Sequence, residues 1–268
     1  MTMQANATPR AHVQALAPIP SAADPDPCSE DVEPRDDSGD EEKATIPPTI
    51  PSTMPPPTLH PLLICSLGNP GTSYATTLHS AGHLITSHIS TTKAYTPFTQ
   101  GLSGLVSRPN NTSYTFGLLS GFKKTRTDTA PEEDDWTFWQ SVSLMNISGP
   151  GVKKAWSAFC SEKRSAGSEP RLVVVHDELE AALGKVSIKD GANSARGHNG
   201  LKSVQTSLGS GAKWWRIGVG IGRPESRDAS VVSRYVLRKM DAREERALVG
   251  CCSGVVAALR EIGEGRRK

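Results

Sequence analysis

From residue 62 onward, short apolar runs alternate with amphipathic stretches, and each change of period predicts one element. Residues 62–67 form a continuous apolar run stopped by Gly68-Asn69-Pro70-Gly71, the pattern of a buried strand entering a turn. Residues 79–89 place Leu84, Ile85 and Ile89 at helical spacing, so His79 is expected to open a helix. A strand is predicted over 114–119, and the charged stretch 123–135 reads as a surface loop. After a Gly-Pro-Gly turn, a helix is predicted over 151–160. The β-branched run 172–175 has the pattern of a central strand ending at His176-Asp177. Residues 185–189 alternate as a half-exposed strand would, 199–208 read as a helix, and 214–221 as the last strand. One long amphipathic helix over 241–262 closes the chain, with Leu248, Val255, Val256, Leu259 and Ile262 as its core stripe. Alternating strands and helices over about 200 residues predict a single α/β domain, a twisted mixed β-sheet with helices on both faces.

Composition changes this picture before residue 59. Residues 1–60 hold ten Asp and Glu against three Lys and Arg, a net of −7, and 13 of the 20 prolines fall at or before Pro61. Such a segment cannot bury enough apolar surface to offset the entropy of ordering it. Residues 1–58 are therefore expected to be a disordered, Pro-rich acidic extension, and 59–268 the folded domain. The first 23 residues carry Arg10 and no acidic residue, a weak resemblance to a mitochondrial presequence that leaves the place of action as cytoplasmic or mitochondrial. No apolar run approaches the roughly 18 residues that a membrane span needs. Five cysteines without a C-x-x-C give neither a disulfide framework nor a zinc motif.

The sequence also excludes several familiar sites. It holds neither a phosphate-binding G-x-x-x-x-G-K-[ST] loop nor a G-x-S-x-G nucleophile turn. Gly218-Val219-Gly220-Ile221-Gly222 lies inside a strand pattern, where a dinucleotide fingerprint would need a strand before it and a helix after it. His79 and His83 have the i, i+4 spacing of a zinc pair but lack the adjacent glutamate, so no metal site is expected. What remains are polar residues at element ends: Asn69, His79, Asn146, Asp177 and Asn199. In an α/β sheet ligands gather at the carboxyl ends of strands, which singles out Asn69 and Asp177. Taken one by one, each also fits a plainer role, Asn in a turn or Asp as a helix cap.

Taken in order, the motifs resemble one family. Leu67-Gly68-Asn69-Pro70-Gly71, Tyr74-Ala75-Thr76-Thr77-Leu78-His79-Ser80-Ala81-Gly82, Met145-Asn146-Ile147-Ser148-Gly149, His176-Asp177-Glu178-Leu179 and Gly197-His198-Asn199-Gly200-Leu201-Lys202 are similar to the successive motifs of the bacterial-type peptidyl-tRNA hydrolases. The resemblance implies a monomeric enzyme that cleaves the ester joining a peptide to tRNA without metal or cofactor. It implies that His79 is the catalytic base and Asp177 the acid that orients it. By the same likeness Asn69, Tyr74, Asn146, His198 and Asn199 bind substrate, and Lys189, Arg196, Lys202 and Arg216 bind tRNA. Residues 61–268 hold 27 basic and 18 acidic side chains, a net of +9 that suits a phosphate-rich ligand. Three positions depart from the family pattern: Leu78, Ser80, and Gly218 where a second basic residue is expected. The alternative is a catalytically idle RNA-binding relative of the same fold.

Overall fold

In the computed structural model, residues 59–117, 121–126 and 134–267 are described. The extension expected over 1–58 lies outside them. Seven strands form one sheet: β1 (Leu62–Ser66), β2 (Thr99–Gly101), β3 (Gly104–Ser107), β6 (Trp136–Gln140), β7 (Arg171–Glu178), β8 (Val186–Asp190) and β9 (Trp215–Gly220). Their spatial order is β2-β3-β6-β1-β7-β9-β8. The central four run parallel, while β2, β3 and β8 pair antiparallel at the margins. Strands β4 (Thr112–Gly117) and β5 (Gly121–Arg126) make a separate antiparallel hairpin.

The apolar run at residues 62–67 has no alternation because both faces of β1 are covered. Leu62 and Ile64 join Val173, Val175, Ile217 and Val219 beneath α1 (Ala81–Thr92), α5 (Ala242–Gly250) and α6 (Cys252–Gly263). Leu63 and Cys65 point the other way, with Leu172 and Val174, against α2 (Ser148–Ser165) and α3 (Asn199–Leu208). A further helix, α4 (Ala229–Leu237), is capped by the Asp228 carboxylate and buries none of its residues fully. Among the described residues no helix is long and apolar enough to cross a membrane.

Four expectations need correction. The charged stretch 123–135 is not all loop, since its first residues belong to β5; 127–133 lie outside the described residues. Charge does not argue against strand pairing, since the ladder bonds are made by the backbone. Strand β6 went unpredicted because its five buried residues show no period of two, and Thr137 and Gln140 break the continuous apolar run that marks β1. The terminal helix is two helices. An Asp241–Glu244 capping box starts α5, which ends at Gly250, and α6 restarts after Cys251. The core stripe is continuous across the break, with Leu248, Val255, Leu259 and Ile262 all buried. Finally, His79 does not open α1. It sits in a short 3-10 turn, Leu78–Ser80, ahead of it.

Strand lengths set the position of the site. β1 stops at Ser66, opposite Val175 of β7. β7 continues to Glu178, still paired with β9, so His176 and Asp177 stand beyond the end of β1. The chain leaving β1 turns through Gly68 and Asn69 there, and the 3-10 turn carrying His79 packs against β7.

Candidate active site

Asp177 is the hub of this region. It is 3% exposed, and both of its oxygens lie 3.0 Å from His79 Nδ1. A second imidazole reaches the same carboxylate, with His198 Nε2 at 3.0 Å from Oδ1. Burial opposes charge on Asp177, but the two histidines and their hydrogen bonds outweigh it and hold the carboxyl far below the usual carboxylate range. This Asp is therefore an ionised acceptor and not the helix cap that its place after an apolar run also allowed. Burial lowers the proton affinity of His79, yet the charge of Asp177 and its hydrogen bond more than reverse this, so the ring titrates above the ordinary histidine value. Because His79 lies outside α1 and beside a carboxylate, the positive end of that helix does not govern its protonation.

The ring tautomers follow from the partners. An ionised Asp177 only accepts, so neutral His79 donates from Nδ1 and keeps Nε2 as a free basic nitrogen. His198 caps α3, and its Nδ1 accepts the backbone N–H of Leu201 at 3.2 Å. Its proton must then sit on Nε2, the atom facing Asp177. His79, Asp177 and His198 bring three metal-type donor atoms within 4.8 Å of one another. The Leu201 bond argues against an ion there, because His198 would have to present a lone pair on the nitrogen that holds its proton.

These groups open onto a cavity of about 740 Å³ whose wall includes Asn69, His79, Asn146, Asp177, His198 and Asn199. Asn69 is nearly buried, and its Oδ1 accepts the Met145 N–H at 2.8 Å, which leaves its amide NH₂ as the free donor. The same bond ties the turn after β1 to the 3-10 turn Met145–Ile147 that carries Asn146. Asn199 is the first residue of α3. Two features, one in the preceding loop and one in the first turn of α3, make this approach possible. Arg196 and Gly197 both have positive φ, which turns the chain into the His198 cap. Gly200 lies so close to the Met145 turn that an added Cβ would stand 2.4 Å from Met145 Sδ.

The basic residues divide. Arg196 and Arg216 line the cavity, whereas Lys189 and Lys202 do not. Lys189 is held by Glu178 in an ion pair, and Lys202 is exposed on α3. Arg216 is 2% exposed, donates one bond to the Ser194 carbonyl at 2.8 Å, and its Nε and Nη1 have no protein partner among the described residues. Burial lowers its proton affinity and Glu178 opposes this; a guanidinium remains charged regardless. Tyr74 is exposed in the turn before His79 and is not part of the cavity wall. Gly218 is paired with His176 and Ser187 inside the sheet, and an added Cβ would meet Glu178 at 3.1 Å. Residues that the sequence did not single out also line the cavity: His176, and Arg223 and Arg227 ahead of α4. An Arg in a polar linker carries no local signal of what it faces. A larger groove, about 1060 Å³, lies between α1, β8 and α6, with Lys93, Arg260, Glu261 and Arg266 among its lining, and holds none of the residues singled out above.

Comparison with known proteins places this arrangement in context. The family model described as Peptidyl-tRNA hydrolase matches residues 63–268. A probable peptidyl-tRNA hydrolase of Schizosaccharomyces pombe is 36% identical over 186 residues, 69% of this chain and 75% of that protein. The peptidyl-tRNA hydrolase of Geobacter metallireducens is 32% identical over 200 residues, 75% of this chain and 87% of the relative. The crystal structure of peptidyl-tRNA hydrolase from Acinetobacter baumannii has the same fold, with a TM-score of 0.55 at 22% identity, covering 78% of this chain and 91% of that one.

Proposed function

The chain belongs to the peptidyl-tRNA hydrolase family, and from that premise we propose how its own residues perform the reaction. The enzyme hydrolyses the ester between peptide and tRNA in peptidyl-tRNA and releases free tRNA. His79 is the general base: its Nε2 takes a proton from water as the water oxygen attacks the ester carbonyl. Asp177 orients the ring and stabilises the imidazolium that forms, without itself taking the proton. The free NH₂ of Asn69 is available to donate to the substrate, as a carboxamide can do without changing charge. Asn146 and Asn199 flank the same cavity as further substrate contacts, and His198 forms part of its wall. Tyr74, outside that wall, would have to meet a part of the substrate that extends beyond it.

Ester cleavage leaves the ribose oxygen needing a proton, and protonated His79 can return the one it took. Arg196 and Arg216 line the cavity: the exposed Arg196 suits phosphate or ribose oxygens, and the buried Arg216 adds its positive charge from beneath. Lys202 and Lys189 extend the basic surface, Lys189 after exchanging Glu178 for a phosphate. As further parts of the proposal, residues 59–268 are the hydrolase domain, and the enzyme acts as a monomer without metal or cofactor. Its place of action is the cytoplasm or the mitochondrion, where translation supplies peptidyl-tRNA.

The observation that carries this mechanism is the His79–Asp177 pair opening on a cavity lined by three asparagines. His79→Ala should lower kcat on N-acetyl-aminoacyl-tRNA by at least about 10²-fold and leave tRNA binding in place. Turnover retained in the folded variant would remove His79 from the role of base.

A further inference from the structure

Asp177 serves two histidines, and the mechanism above uses only one. The second, His198, is held on every side. Its Nδ1 accepts the Leu201 N–H, its Nε2 meets Asp177, its ring lies 5.1 Å from that of His79, and His176 packs edge-on to it, also at 5.1 Å. Helix α3 thus fixes the rotamer of this ring as well as its tautomer. We infer that His198 is a positioning residue: a neutral Nε2–H donor, locked by the N-cap of α3, that occupies Oδ1 of Asp177 and so limits how strongly this carboxylate binds the His79 imidazolium.

The inference rests on His79 and Asp177 acting as base and orienting acid. A carboxylate that bonded only His79 would concentrate its charge there, make the imidazolium more stable, and leave less free base near neutral pH. Sharing the carboxylate keeps the ring oriented while weakening that pull. The same link couples Asp177 to α3, whose first residue is Asn199, so orienting the base and placing a substrate contact depend on one side chain.

His198→Asn separates these functions. Asparagine caps helices well, so the Leu201 N–H keeps an acceptor, but its side chain is too short to replace the ring at Asp177. The expected result is a folded variant with some loss of thermal stability, kcat reduced roughly tenfold with KM little altered, and the acid limb of kcat/KM moved to higher pH. The other titratable or charged groups at the site are His176 and Glu178 on β7, Lys189 on β8, Arg216 on β9, Arg196, Arg227 and the Glu180–Arg223 pair; all are left in place. A folded variant with parental kcat and an unmoved acid limb would overturn the inference. So would a rise in KM alone, which would make His198 a substrate contact only. An independent measurement needs no variant. Imidazole ¹⁵N spectra of the intact protein should show neutral His198 protonated on Nε2, and a proton on Nδ1 would overturn the lock. Because that spectrum does not involve turnover, a failure of His79 as base would be seen separately, in His79→Ala.

Discussion

A histidine beside a buried carboxylate is a stronger base than a free one, and this has a cost near neutral pH. The charge of Asp177 raises the proton affinity of His79 against the opposing effect of burial, so the acid limb of kcat/KM should lie above the ordinary histidine value of 6.5. Asp177→Asn removes the charge and leaves the burial. The limb should then move to lower pH, while kcat falls about 10²-fold or more because the ring loses its orienting partner. A pH–rate profile whose limb stays where it was would show that the two residues are not coupled. The place of Asp177 at a strand's carboxyl end was legible in the sequence, but its pairing with His79 only through the resemblance, because an Asp after an apolar strand is ordinarily a cap. That Asp177 holds two imidazoles was not legible, since His198 lies 21 positions away and its motif reads first as a turn into a helix.

Elements were legible where an unbroken apolar run or a clear period marks them. Helix α3 lies where its period put it, at Asn199–Leu208, and β7 extends from Arg171 to Glu178 around the predicted β-branched run. The strand predicted over 114–119 is found two residues earlier, as β4, whereas Thr137 and Gln140 interrupt the apolar pattern of β6, which gave no clear signal. The break between α5 and α6 was hidden because the buried stripe continues through it. Motif glycines show a different limit, because what they do depends on a partner element distant in sequence. Gly149 lies where α2 crosses α3: its N–H donates to Ser203 Oγ at 2.9 Å, and an added Cβ would stand 2.0 Å from the Ser203 carbonyl oxygen. Backbone cannot swing aside as a side chain can. Gly149→Ala should force the two helices apart and cost more than about 2 kcal/mol in urea unfolding. A variant as stable as the parent would mean that the crossing is looser than this distance requires.

At the scale of the whole molecule, the uneven distribution of charge and titrating groups makes stability depend on pH in a direction that can be worked out. His83 is partly buried with its Nε2 enclosed, and His176 is buried; desolvation pushes their pKa values down to about 4 and about 3, with the neighbouring His198 adding to the effect at His176. In the unfolded chain both rings return to about 6.5. Between those limits the unfolded chain binds two protons that the native state refuses, so stability must fall as pH drops below about 6.5. The slope is about 1.4 kcal/mol per pH unit for each ring. His79 does not offset this, because its raised native value leaves it protonated in both states across that window. Asp177 adds its own loss only below the range in which an unfolded aspartate titrates, near pH 4. The excess of basic residues over 61–268 works in the same direction, since repulsion within the domain grows as carboxylates are neutralised. Urea unfolding between pH 7 and pH 4.5 should therefore show a steady loss of stability that begins near 6.5, well before the carboxylates titrate. His83→Gln, which keeps a polar partner for Ser66 without a titrating ring, should flatten that loss by up to one ring's share. A stability that stays level down to pH 5 would mean that these rings take up protons without leaving the fold.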